Sequence, residues 1–163
     1  MRDPFSIREG AEADLEDCAA LACLAEPERS GGEWRESLRR DLESPGQLLV
    51  VAESRDAIVG YGRARAFAPG PDAPVDSAPS GYYLAGVFVR PEQRARGIAT
   101  ALTRARLDWI RERAPEAWYF ANARNTASIA LHRRFGFEEV SREFSFPGLT
   151  FGGGEGILFR LSL

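Results

Sequence analysis

The chain has 163 residues, which is enough for one domain with a substantial core, and its hydrophobic content of 44% is ordinary for a globular fold. Its 21 basic and 24 acidic residues leave a net charge of −3, which argues against a nucleic-acid binder that works through a broad positive surface. The sequence has no lysine, so every positive side chain is an arginine, whose planar guanidinium suits phosphate oxygens.

The first half of the chain is predicted to form a strand, two helices and a hairpin. Hydrophobic spacing and turn residues give these elements as Phe5–Arg8, Ala13–Ala25, Trp34–Glu43, Gln47–Glu53 and Ala57–Phe67. The first helix is expected to bury one apolar face, which consists of Leu15, Cys18, Ala19, Ala22 and Leu24.

The two cysteines, Cys18 and Cys23, do not have the spacing of a zinc or redox site, and we predict that both are small buried hydrophobes. The N-terminal stretch MRDPFSIREG has no long apolar segment, so neither a signal peptide nor a membrane span is predicted. We therefore expect a cytoplasmic protein with no membrane partner.

The second half begins with a loop, Ala68–Ser80, which contains four prolines and is either a functional loop or a flexible insertion. The elements predicted after it are a central strand Tyr82–Arg90, a long helix Gly97–Arg113, a strand Ala117–Ala123, a helix Asn125–Phe135 and two final strands, Phe137–Phe146 and Gly156–Leu163. Gly136 is expected to take the left-handed conformation that often ends a helix. With no repeat and no change of composition, this order predicts one mixed α/β domain over residues 1–163.

The start of the long helix predicts an anion site. The first backbone N–H groups of a helix have no partner within it, and the aligned peptide dipoles add partial positive charge at that end. Gly97 leaves room for a ligand beside these N–H groups, and Arg94 and Arg96 can add charge-assisted hydrogen bonds. A solvated basic turn is the alternative.

Two longer motifs favour the anion site. The stretch QRARGIA, Gln93–Ala99, resembles the Gln/Arg-x-x-Gly-x-Gly/Ala signature of the GNAT superfamily of N-acetyltransferases, and it follows an apolar strand and opens a long helix as in that family. The stretch NTASIALHRRFGF, Asn125–Phe137, is similar to the family's second cofactor segment. The resemblance implies a mixed, splayed sheet of about seven strands flanked by about four helices, in the order β-α-α-β-β-β-α-β-α-β-β.

The same resemblance implies that acetyl-CoA is the co-substrate. The strand residues Val87, Phe88 and Val89 would pair with the pantetheine arm as an added strand would. The pyrophosphate would be held by Arg94, Ala95, Arg96, Gly97, Ile98, Ala99 and Thr100. From the second helix, Asn125, Ser128 and His132 would face the cofactor, because offsets of three and seven residues return to one helical side. A helix N-cap is the alternative for Asn125, and a surface residue the alternative for Ser128.

His132 is the only histidine and stands where the family often has a tyrosine that is thought to protonate the leaving thiolate. Imidazole titrates nearer neutral pH than phenol, so His132 is our candidate general acid. A hydrogen bond to the backbone and simple packing against the cofactor are the alternatives.

The general base is harder to predict, because Ala85 and Gly86 stand where many relatives have an acidic residue. An ammonium has no lone pair, so the amine must lose a proton before it attacks. Glu53 is our first candidate base, followed by Tyr83 and Glu155, with a structural or solvated role as the alternative for each.

The implied reaction is acetyl transfer to an amine. Acidic residues predicted to border the acceptor pocket would favour a cationic small molecule; they are Glu33, Asp72, Asp76 and Glu155. A peptide or protein amine is the main competitor, and a CoA-binding module without transferase activity is the other class. No metal site is predicted, because the lone histidine cannot build one with two distant cysteines. Such folds often form dimers, but the sequence leaves the oligomeric state open.

Overall fold

The structure is a computed structural model that describes residues 4–152 and 154–163. Its strands are β1 (Ser6–Glu9), β2 (Gln47–Ser54), β3 (Ala57–Phe67), β4 (Gly81–Val89), β5 (Glu116–Asn122), β6 (Glu138–Ser141) and β7 (Gly156–Ser162). Its helices are α1 (Leu15–Ala25), α2 (Gly31–Glu43), α3 (Ile98–Arg111) and α4 (Thr126–Arg134). Short 3₁₀ turns, Glu12–Asp14 and Pro91–Gln93, precede α1 and α3. The predicted order of strands and helices is confirmed.

The strands form a mixed seven-stranded sheet in the order β1-β2-β3-β4-β5-β7-β6. Strand β4 pairs in parallel with β5 at Tyr83 and Trp118, whereas β5 and β7 pair antiparallel from Glu116 opposite Ser162 to Asn122 opposite Gly156. The α/β fold class predicted from the order of elements is therefore confirmed.

The chain forms two compact units. The first comprises the described residues of Met1–Arg65 together with Leu84–Trp109, and the second comprises Ala66–Tyr83 and Ile110–Leu163. That the whole chain is a single domain stays a prediction. In the part of the chain described, none of the helices has the length and apolar character needed to cross a bilayer.

The core of the first unit forms where α1 and α2 pack with residues of β2 and β3. Its buried side chains are Leu15, Cys18, Ala19, Leu21, Ala22, Trp34, Leu38, Leu49, Val51, Ile58 and Tyr61. Two predictions about α1 were wrong. Leu24 is 61% exposed, because nine residues after Leu15 it lies on the opposite side of the helix, and Cys23 is half-buried rather than buried.

Helix α2 begins at Gly31, three residues before the predicted start at Trp34. Ser30 accepts a hydrogen bond from the Glu33 N–H at 3.2 Å, and the Glu33 carboxylate accepts one from the Ser30 N–H at 3.0 Å. This capping box satisfies two backbone donors at the helix start and offsets the poor helix propensity of two glycines. The S-x-x-E pattern was visible in the sequence, and it fixes the start of α2.

The core of the second unit is rich in aromatic side chains. Tyr83, Trp118, Leu158 and Ala78 are buried, and partly buried phenylalanines pack against them, namely Phe67, Phe120, Phe144 and Phe146. The sixth strand was predicted to reach Phe146 but ends at Ser141. The reason is that the phenylalanines after it turn into this aromatic cluster instead of continuing the sheet.

The proline-rich loop, residues 68–80, is hydrogen-bonded to another segment of the second unit, at Ser145. The Ala78 N–H donates to the Ser145 carbonyl at 2.8 Å, and the Ser145 N–H donates to the Asp76 carbonyl at 2.9 Å. Ala78 is completely buried. This part of the loop is therefore not a flexible insertion.

At the end of α4, Gly136 has a φ of +99°, as predicted.

Candidate functional site

The α3 entry loop, which we define as Arg94–Thr100, carries the predicted pyrophosphate residues. Ala95 has a φ of +59° and Gly97 a φ of +83°, whereas Arg94 has a φ of −67° and Arg96 is not in the positive-φ region. Left-handed residues before a helix start are found in turns whose N–H groups bind anions. The left-handed conformation is unfavourable for Ala95, by about 1–2 kcal/mol, and such strain is typical of binding sites.

The backbone donors in the first turn of α3 are available to a ligand. The Ala101 N–H makes a helical bond to the Gly97 carbonyl, at 3.0 Å, so the N–H groups of Ile98, Ala99 and Thr100 lie in the unpaired first turn. A Cβ built at Gly97 would meet no atom within 4 Å, so the space beside these groups is open. The local geometry fits the predicted pyrophosphate contact.

The entry loop contains two arginines, Arg94 and Arg96. The exposed Arg94 donates through Nε to the Val89 carbonyl at 3.4 Å, and the half-buried Arg96 is hydrogen-bonded to the Gln93 side chain. The end of β4 lies next to them in the chain. Phe88 and Val87 are half-buried, and Gly60 allows close approach, because a Cβ at Gly60 would lie 2.8 Å from the Phe88 carbonyl oxygen. The pairing of this strand with pantetheine stays a prediction.

In the second unit, the predicted cofactor side chains of α4 are already bonded to protein. The Asn125 side chain accepts from the Ser128 N–H at 3.3 Å and is the N-cap of α4. The Ser128 hydroxyl is hydrogen-bonded to the Tyr119 hydroxyl. The three residues also differ in burial, since Asn125 is exposed, Ser128 half-buried and His132 buried. Their cofactor contacts stay predictions.

His132 is only 2% exposed. Its Nδ1 lies 2.7 Å from the Ser128 carbonyl oxygen, and its ring stacks on the Tyr119 ring with centroids 3.6 Å apart and planes 8° apart. Phe137 packs edge-on at 5.6 Å. The contact with the Ser128 carbonyl is the backbone hydrogen bond of the first alternative, and the general-acid role stays a prediction.

The candidate base Glu53 is held by Arg8, whose Nε and Nη2 donate to one carboxylate oxygen at 3.0 and 2.7 Å. The same guanidinium binds Asp14 through two hydrogen bonds and holds the pKa of Asp14 below its usual range. Glu53 is thus part of an ion-pair cluster, which is the structural alternative. Its role as base stays a prediction.

The two lower-ranked bases also have structural contacts. Tyr83 donates its hydroxyl to the Pro79 carbonyl at 2.6 Å, and burial raises the pKa of this phenol well above its ordinary value, which disfavours the phenolate. Glu155 forms an ion pair with Arg142 at 2.5 Å. Of the residues predicted to form an acidic rim, Glu33 is also engaged, in the capping box of α2.

Three features of these segments were missed in the sequence. One is the positive φ of Ala95, for which an alanine gives no signal. Another is Tyr119, although a tyrosine in a buried strand needs a partner for its hydroxyl. The third is Arg106, a buried arginine that lies four residues after Leu102, at the spacing of the apolar face. The described residues include no group of three or more His, Cys, Asp or Glu side chains suited to a metal ion.

Comparisons with known proteins identify the family of the chain. The family model described as "Acetyltransferase (GNAT) family" matches residues 14–137. An aminoglycoside N(6')-acetyltransferase type 1 from Acinetobacter baumannii is 29% identical over 144 residues, which cover 83% of this chain and 92% of the relative.

Solved structures give a similar result. The crystal structure of ribosomal-protein-alanine N-acetyltransferase from Brucella melitensis has a TM-score of 0.74 and 27% identity, covering 97% of this chain and 99% of that one. The aminoglycoside N-acetyltransferase AAC(6')-Iy, solved in complex with CoA, has a TM-score of 0.75 and 22% identity, covering 92% of this chain and 98% of that one. At that identity the second likeness supports the fold.

Proposed function

The chain belongs to the acetyltransferase (GNAT) family and is therefore an acyltransferase with acetyl-CoA as its co-substrate, and on that premise we propose that it transfers the acetyl group to a primary amine of a small molecule. The observation that carries the proposal is the α3 entry loop. Its left-handed residues Ala95 and Gly97, its unpaired first-turn N–H groups and the open space beside Gly97 suit a diphosphate, with Arg94 as a nearby cation.

In the proposed reaction the amine attacks the thioester carbonyl directly. The C–N bond forms, the C–S bond breaks, the amine loses a proton and the CoA thiolate gains one. A backbone N–H near Val87 would stabilise the negative charge that develops on the carbonyl oxygen. Asn125 and Ser128 would contact the cofactor from α4.

No covalent acetyl-enzyme is part of this proposal. Burial raises the pKa of the Cys18 thiol to about 12, so almost none of it is thiolate, the reactive form, near neutral pH. Cys23 is half-buried, and its sulfur lies 3.7 Å from the Arg29 carbonyl. Acetyl-CoA labelled in the acetyl group should leave no label on the denatured protein.

The acceptor class is supported by a relative. The protein from A. baumannii is by its name an aminoglycoside acetyltransferase, and an aminoglycoside is a polycationic small molecule that suits the predicted acidic rim. A peptide amine is the second candidate, because the ribosomal-protein-alanine N-acetyltransferase from B. melitensis is 27% identical over nearly the whole chain. The sequence also left open a CoA-binding module without transferase activity, which membership of an acetyltransferase family disfavours.

One experiment separates these candidates. CoA release from acetyl-CoA is measured with an aminoglycoside, a polyamine, and peptides that begin with alanine or with N-acetylalanine as the matched blocked control. We expect turnover with an amine of the small-molecule set. Turnover only with the free alanine peptide would favour the second candidate. Tight CoA binding with no turnover on any amine would favour the binding module.

A further inference from the structure

Arg106 on α3 is fully buried, with 0% of its surface exposed. Arginine is rarely buried to this extent, because a guanidinium removed from water destabilises the fold unless its donors are satisfied. The residues one turn before and after it, Leu102 and Ile110, are buried apolar side chains. A leucine or methionine would suit such a position, so apolar packing along α3 does not explain the arginine.

The guanidinium is held by oxygens around it. Nη1 donates to the Ala85 carbonyl at 2.8 Å and to the Arg63 carbonyl at 3.1 Å. Nη2 donates to the Thr103 hydroxyl at 2.9 Å, and Nε to the Leu102 carbonyl at 3.3 Å. Gly62 makes room for it, because a Cβ there would lie 2.9 Å from the Arg106 Nε.

Nη1 of Arg106 bridges two neighbouring strands through their carbonyl groups. Arg63 is on β3 and Ala85 on the neighbouring strand β4. In a regular ladder a carbonyl of one strand meets an N–H of the next strand. Here one carbonyl from each strand accepts from the same nitrogen of Arg106, so the guanidinium adds a contact between the strands and holds the peptide that joins Ala85 to Gly86.

The other side of that peptide is accessible. Gly86 is exposed, and a Cβ built on it would meet no atom within 4 Å. The backbone from Gly86 to Val87 is also where the proposed function places the thioester carbonyl. A cation bound to the Ala85 carbonyl polarises the whole peptide unit and makes its N–H, which belongs to Gly86, a better donor.

We propose that Arg106 is a positioning residue for acetyl transfer, which orients and polarises the Ala85–Gly86 peptide beneath the oxyanion. The inference rests on the proposed function and adds a residue that acts through the backbone of β4. It requires no contact between Arg106 and the substrates. Loss of this arginine should lower kcat and leave the binding of CoA nearly unchanged.

The test compares Arg106→Met and Arg106→Lys with Thr103→Val. The methionine removes the charge and both carbonyl bonds, whereas lysine keeps the charge but not the planar fork. Thr103→Val is the matched control, because it removes a buried partner of the same guanidinium and leaves Ala85 untouched. Measured quantities are kcat and KM with the best amine, the Kd of CoA by calorimetry, Tm, and the Gly86 amide proton shift by NMR.

We expect kcat to fall about tenfold in Arg106→Met, which is less than the 10²–10³ typical for removal of an oxyanion-hole donor itself. Arg106→Lys should fall less, the Kd of CoA should stay within about threefold in both, and the Gly86 amide proton should move upfield. Thr103→Val should lower Tm with kcat within about twofold of wild type.

Two results would overturn the inference: a folded Arg106 variant with wild-type kcat and Gly86 shift, or a fall in kcat that Thr103→Val reproduces. If Arg106→Met does not fold, the kcat and the Gly86 amide shift of Arg106→Lys serve as the test instead. Failure of the proposed function looks different, because the wild-type protein itself would then show no turnover with any amine.

Discussion

The two segments predicted to hold the cofactor differ in which groups they offer. The α3 entry loop presents the unpaired N–H groups of a helix start beside open space at Gly97, with Ala95 and Gly97 in the left-handed region. In α4 the predicted side chains are bonded to their own unit, since Asn125 caps the helix and the Ser128 hydroxyl is bonded to Tyr119. A ligand can bind the first segment as it stands, whereas the second must share or exchange bonds.

This difference predicts an unequal division of binding energy. Backbone donors fixed by a helix start require no reorganisation when an anion arrives. Side chains that already have partners gain only the difference between two bonds, which is small. We therefore expect substitutions in the entry loop to weaken CoA binding much more than substitutions on α4.

The largest effect is expected for Gly97→Asp. A carboxylate beside the first-turn N–H groups would repel the diphosphate and could itself accept their hydrogen bonds. The Kd of CoA, measured by calorimetry, should rise at least about 100-fold. Gly97→Ala is the control, because a left-handed alanine costs about 1–2 kcal/mol but adds no charge. If the Gly97→Asp protein binds CoA as tightly as the Gly97→Ala protein does, the expected role of the entry loop is wrong.

A smaller effect is expected for Arg94→Ala. The exposed guanidinium can make a charge-assisted hydrogen bond to phosphate, and its loss should raise the Kd of CoA about tenfold. Arg104→Ala serves as control. Arg104 is exposed like Arg94, but it lies on α3 beyond the first turn of the helix. An equal effect of both substitutions would mean that general positive charge, rather than the entry loop, drives binding.

A still smaller effect is expected for Ser128→Ala. Because its hydroxyl already has Tyr119 as a partner, its loss should raise the Kd of CoA no more than about fivefold. Tyr119→Phe removes the same bond from the other side and keeps the serine hydroxyl. A 100-fold loss in Ser128→Ala alone would show that α4 contributes as much as the entry loop.

The smallest effect is expected for His132→Phe. The ring is buried and stacked on Tyr119, so phenylalanine should keep the packing and leave kcat within about threefold of wild type. His132→Ala should instead lower Tm, because it leaves a cavity. A fall in kcat of tenfold or more in a folded His132→Phe protein would restore the general-acid role.

The sequence predicted the order of all strands and helices, because apolar periodicity and glycine or proline breaks are local signals. It also predicted the entry loop, since Gly97 and the helix start are local. Contacts that form only in the folded chain were not readable. Examples are the stacking of His132 on Tyr119, the ion pair that holds Glu53 to Arg8, and the burial of Arg106.

Strand and helix ends were predicted less well, for reasons that differ from one element to the next. Helix α2 starts early because of a capping box, which is a local motif that the hydrophobic pattern does not include. Strand β6 ends early because Phe144 and Phe146 join an aromatic cluster formed by distant residues. The first could have been predicted from the sequence, whereas the second depends on tertiary packing.

The central claim is that the α3 entry loop binds the diphosphate of CoA. The most direct test is calorimetric titration of the wild-type protein with CoA, with dephospho-CoA, which keeps the diphosphate, and with pantetheine, which has no phosphate. We predict that dephospho-CoA binds within about tenfold of CoA and that pantetheine binds at least about 100-fold more weakly, a difference of about 2.7 kcal/mol. Equal affinities for CoA and pantetheine would contradict the claim.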